Sequence, residues 1–138
     1  MKSYKEFCNE RLSQEMPTHR IDDMAAVSSP DDNLPLNTKI YIYGENDEQG
    51  TKTPHFHVTI DNRKIELEVE LRHAAQLNIW RTKHGHPKSW DGLSNIRKRI
   101  EEWLGETNSE FNMTNLKTMV ALWNLNNPTN KIDGTFVE

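Results

Sequence analysis

The chain has 138 residues, 34% of them hydrophobic and 28% charged, with a formal net charge of −4 and a mean hydropathy of −0.87. That length suits one domain with a core of its own, and no segment approaches the roughly 18 consecutive apolar residues of a membrane helix. Cys8 is the only cysteine, which excludes an internal disulfide, and the first residues lack the apolar stretch of a secretion signal, so the cytoplasm is the expected compartment.

In chain order, Tyr4, Phe7, Cys8 and Leu12 recur at helical spacing and predict a helix over residues 2–15. Residues 16–38 carry three prolines and no sustained period, which predicts an irregular connection with a short packed turn at Met24-Ala25-Ala26-Val27. Residues 1–38 therefore read as a helical and irregular extension. A first strand is expected over 39–44, and an acidic loop over 45–52. His55-Phe56-His57-Val58-Thr59-Ile60 and Lys64-Ile65-Glu66-Leu67-Glu68-Val69-Glu70-Leu71 then alternate strictly, as half-buried strands do. Joined through Asp61-Asn62-Arg63, they form a hairpin whose apolar faces coincide, which sets two histidines opposite a row of glutamates.

Gln76 to Thr82 reads as a further strand, with Leu77, Ile79 and Arg81 on one side. His84-Gly85-His86-Pro87 is a loop by composition. Leu93, Ile96, Ile100, Trp103 and Leu104 mark one helix, and Leu116, Met119, Val120 and Trp123 mark another over 114–127, with Thr114 as its N-cap. Residues 129–138 form a polar tail. The expected fold is α+β over 39–128, a small antiparallel sheet of three to four strands with two C-terminal helices on one face and the N-terminal helical extension.

Two constellations carry chemistry. His55 and His57 lie roughly 6–7 Å apart on one strand face, close enough for both imidazoles to reach one ion. Glu66, Glu68 or Glu70 on the partner strand can supply a carboxylate, with Glu66 and Glu70 the ligands expected, giving the donor set of zinc or non-haem iron, so a divalent transition metal is the cofactor to expect. The same face also suits acid–base catalysis by His55, His57 and Glu68, because a neighbouring carboxylate raises a histidine pKa. The plainer alternative is a solvated sheet face with cross-strand charge pairs. The second constellation is basic: seven Lys or Arg residues between Arg72 and Arg99 face the single acid Asp91, a local charge of about +6. Arg81, Lys83, Lys88, Arg97, Lys98 and Arg99 are its candidate nucleic-acid contacts, with Trp80 and Trp90 between them, a mixture that suits phosphates and unstacked bases. The overall acidity argues against tight non-specific DNA binding.

The run Ile40-Tyr41-Ile42-Tyr43 followed by Thr53-Pro54-His55-Phe56-His57-Val58 resembles the bacterial and phage family termed domain of unknown function 4160, whose members carry Pro-His-Phe-His-Val after a strand of isoleucine and tyrosine. The resemblance spans about residues 39–127. The loop at 45–53 is longer than usual for that family, and residues 1–38 have no counterpart in it. It implies a small α+β domain and no agreed activity, though some members lie beside genes arranged like toxin–antitoxin pairs. The motif is also similar to that of histidine-triad hydrolases, but Thr59 stands where their third histidine would be. Two functions remain open. One is a small cytoplasmic domain that binds a protein or nucleic-acid partner, as in a phage or toxin–antitoxin module. The other is a metal- or histidine-dependent hydrolase, such as a small nuclease, built on His55 and His57.

Overall fold

Alternating side chains on the central strands organise the molecule. The structure is a computed structural model and describes residues 24–43, 53–127 and 130–132; the helix expected over 2–15 and the loop over 45–52 lie outside the described residues. Strands β1 (Met24–Ala26), β2 (Lys39–Tyr43), β3 (His55–Ile60), β4 (Ile65–Glu70) and β5 (Ile79–Thr82) form one antiparallel sheet in the order of the chain. The class is α+β as expected, but the sheet has five strands where three to four were expected. The added strand is β1, read from sequence as a packed turn. Three residues with two alanines show no alternation of their own, and pairing with β2, Ala25 opposite Ile42, makes them a strand.

β3 and β4 pair along their full length. Phe56 faces Val69, Val58 faces Leu67 and Ile60 faces Ile65; His55 faces Glu70, His57 faces Glu68 and Thr59 faces Glu66. Asp61, Asn62 and Arg63 close the hairpin, all with positive φ, a conformation that Asp and Asn tolerate better than most residues. On β5, Ile79 opposes Val69 and Arg81 opposes Glu68, with the register shifting between Glu68 and Val69. Trp80 is the extra residue of this bulge, and Ile79 and Arg81 consequently lie on opposite faces, not on the one side that simple alternation implies.

Helix α1 (Ser94–Leu104) buries Ile96, Ile100, Trp103 and Leu104. Helix α2 (Asn115–Asn126) buries Met119, Val120, Leu122 and Trp123, and the Thr114 hydroxyl caps it by accepting from the Lys117 amide at 3.2 Å. Both helical stripes join Ile40, Ile42, Phe56, Val58, Ile60, Leu67 and Val69 in a single core. Between the helices, β6 (Thr107–Asn108) and β7 (Met113–Thr114) form a small second sheet. Its buried Asn108 donates to the Val27 carbonyl at 3.2 Å, and Asn115 donates to the Trp103 carbonyl at 2.8 Å. Among the described residues, no helix is long and apolar enough to cross a membrane.

Candidate functional site

The β3–β4 register puts His55, His57, Glu66, Glu68 and Glu70 on the sheet face opposite the apolar one. Sequence alternation predicts that this face is wet. Instead, all six residues of β3 are buried, and His55, His57 and Glu66 are only 2%, 5% and 6% exposed. Aromatic rings provide much of the cover. Tyr43 of β2 stacks on His57, with ring centroids 3.7 Å apart and planes within 6°. Trp80, turned by its bulge, comes within 4.7 Å of the His55 ring, and Trp123 of α2 within 5.4 Å. A polar strand face flanked by large rings from other elements is a second interior.

Within that interior the proton positions follow from the partners. His55 Nδ1 lies 2.7 Å from the Thr53 carbonyl oxygen, which can only accept, so Nδ1 carries the proton. His57 Nδ1 lies 3.2 Å from Glu66 Oε2 and donates to that carboxylate. Both Nε2 atoms then present lone pairs, and both point towards one oxygen: Glu68 Oε1 is 3.1 Å from His55 Nε2 and 3.8 Å from His57 Nε2. His57 Nε2 and Glu68 Oε1 are therefore buried polar atoms with no hydrogen-bond partner. One ligand atom from each of His55, His57 and Glu68 falls within 4.8 Å of the other two.

Each carboxylate bridges the interior to the rim. Glu68 Oε2 takes Arg81 Nε at 2.7 Å, and Glu66 Oε1 takes Lys83 Nζ at 3.1 Å. The cation side chains are 50% and 64% exposed, so the face opens to solvent on this flank. Burial acts to raise the Glu68 pKa but is outweighed by His55, Arg81 and His57, the histidines acting in their protonated form, which hold it down to about 2. Glu66 is lowered in the same way, burial being overcome by Lys83 and His57. His57 moves against the sequence expectation. Burial lowers its pKa, with the neighbouring His55 adding to the effect, and the two glutamates do not offset this. A neutral imidazole is the form that binds a metal.

Of the residues singled out in the sequence, His55, His57 and Glu68 converge, and Glu66 supports His57 from behind. Glu70, opposite His55, lies outside the converging group. His86 does not add a third imidazole: its Nδ1 accepts the Glu66 backbone N–H at 2.9 Å and pins the 83–87 turn to the flank of β4, while His84 is exposed. The basic candidates divide. Arg81 and Lys83 serve the carboxylates. Arg99 binds Glu106 and the Asp32 carbonyl, and Arg97 donates to the Gln76 carbonyl and pairs with Glu101. Lys88 and Lys98 are exposed. Sequence reading missed Tyr43, Trp80 and the Thr53 carbonyl as parts of the site. The favourable charge pairing of Arg81 with Glu68 across the strands is a signal the sequence does carry, but the bulge at Trp80 hides it from simple alternation. In comparisons with protein families, curated proteins and solved structures, the chain finds no match.

Proposed function

We propose that His55, His57 and Glu68 form a divalent transition-metal centre and that the protein is a small metal-dependent hydrolase. The observation that carries this reading is the confrontation of acceptors: two imidazole Nε2 atoms and a carboxylate oxygen face one another in a buried space where His57 Nε2 and Glu68 Oε1 lack partners. Buried polar groups are rarely left unpaired, and a cation between these atoms satisfies all three. Two histidines and a carboxylate are a donor set for zinc and for non-haem iron. A divalent ion on three protein ligands keeps a position for water and brings its pKa towards neutrality, which is the chemistry of hydrolysis.

The chain's own residues prepare that chemistry. The Thr53 carbonyl and Glu66 fix both imidazoles with the proton on Nδ1, which leaves Nε2 as the ligating nitrogen. Arg81 holds Glu68 by Oε2 and leaves Oε1 turned inward. Lys83 balances the charge of Glu66, and Tyr43, Trp80 and Trp123 exclude bulk water from the histidines.

The test is metal analysis of the full chain without a histidine tag, after incubation with zinc and exhaustive dialysis. About one ion per chain is expected, with retention lost in His57→Ala and in Glu68→Gln. A parent protein that keeps no ion overturns the proposal.

A further inference from the structure

We infer that the substrate presented to this centre is single-stranded nucleic acid lying along the outer edge of β5. The inference rests on the metal-hydrolase reading for its chemistry, whereas the binding surface stands on separate observations. β5 is the last strand of the sheet, so among the described residues its outer edge has no strand partner. Two adjoining depressions follow that edge. One, of about 260 Å³, is lined by Ile79, Trp80, Arg81, Thr82 and Lys88. The other, of about 270 Å³, includes Ile79, Lys88, Trp90 and Arg97. They share Ile79 and Lys88 and together make one groove.

The groove is basic and aromatic, although the chain as a whole is acidic. No carboxylate lines either depression. Lys88 is exposed at the centre, between Arg81 at one end and Arg97 at the other, whose side chains are 50% and 37% exposed. The Arg81 guanidinium lies 4.3 Å over the Trp80 ring, and Trp90 stands in the second depression. Cations in a row with aromatic rings between them match a polymer that alternates phosphates with flat bases, and the bases must be unstacked to meet the rings. A duplex offers no free base faces, and an acidic peptide has no use for the rings. The groove also ends at the centre, since Trp80 touches His55 and Arg81 holds Glu68. A phosphodiester seated at Arg81 is thus brought next to the proposed metal ligands. Lys83, Lys98 and Arg99 line neither depression and take no part.

The test measures binding of a fluorescein-labelled oligothymidylate of about a dozen nucleotides to the full chain in chelator and low salt, by fluorescence anisotropy. Binding without metal is expected. Lys88→Glu with Arg97→Glu should weaken it about tenfold or more, and should reduce the slope of log Kobs against log salt by about 1.4, roughly 0.7 for each phosphate left without its cation. Lys88→Glu alone should act in the same direction with a thermal melt that matches the parent, and the double variant, which also loses the Arg97 contacts to Gln76 and Glu101, should still unfold in one cooperative transition. Their zinc content should also match the parent's. Conversely, His55→Ala with His57→Ala should lose zinc and keep the oligonucleotide, so the two proposals fail independently. No binding by the parent, binding unchanged in the double variant, or equal binding of a labelled duplex or a polyglutamate peptide overturns the inference.

Discussion

Glu68 has two oxygens with different tasks. Oε2 is held by Arg81 and Oε1 meets the histidines, so one side chain ties the solvent-facing rim to the buried imidazoles. Glu66 works one step further out, on Nδ1 of His57. Replacing Glu66 with Gln should weaken zinc affinity by about 10–100-fold, the range for partners behind a metal-bound histidine, measured by competition with a chromophoric chelator. The titration of these residues has a definite sign. The unfolded chain binds a proton to His57 near pH 6.5, whereas the folded pKa is lower, so stability falls as pH drops below about 6.5. Glu68, held down to about 2, adds a further loss as pH falls below about 4.5, its ordinary value. Urea midpoints of the metal-free protein should therefore rise between about pH 5 and 7 and flatten above, with a smaller rise in His57→Gln. A midpoint that falls over that interval contradicts the burial of His57 as a neutral ring.

At the scale of elements, the two most regular pieces of the chain were legible and the cover over the site was not. Period-two runs at 55–60 and 65–70 identify β3 and β4 and put the histidines and glutamates on one face. The same period cannot say whether a polar face is wet, because Tyr43, Trp80 and Trp123 arrive from β2, β5 and α2. β1 lay below legibility for a related reason: its identity comes from pairing with β2, not from its own pattern. The bulge at Trp80 broke the alternation that had placed Arg81 beside Ile79. Within the site, any of Glu66, Glu68 and Glu70 was a possible carboxylate ligand, with Glu66 and Glu70 preferred for the metal and Glu68 for catalysis. Alternation gives the three glutamates the same face, and only their distances from the imidazoles separate them. The helices were legible because their apolar stripes and caps are local. Thr114→Ala should cost about 1 kcal/mol, the usual value of an N-cap, read from denaturant unfolding. Leu67→Ala, at a fully buried position, should cost about 2–5 kcal/mol.

For the molecule as a whole, an apolar interior shared with α1 and α2 adjoins a polar one walled by aromatic rings, and Trp123 of α2 belongs to both. The polar one leaves His57 Nε2 and Glu68 Oε1 without hydrogen-bond partners, so metal binding as proposed would be linked to folding. Zinc at about 100 times its dissociation constant should stabilise the folded state by about 2.7 kcal/mol. That gain should raise the thermal midpoint by several degrees, and a chelator should reverse it; a midpoint indifferent to zinc tells against the centre. The three proposed ligands all come from β3 and β4, between residues 55 and 68. The proposed ligand set is therefore contained in one hairpin and precedes both described helices in the chain. A slip of one residue in that hairpin would turn the side chains of one strand to the other face. An ion bound as proposed would therefore act as a register gauge, rewarding only the pairing in which both histidines and Glu68 look the same way.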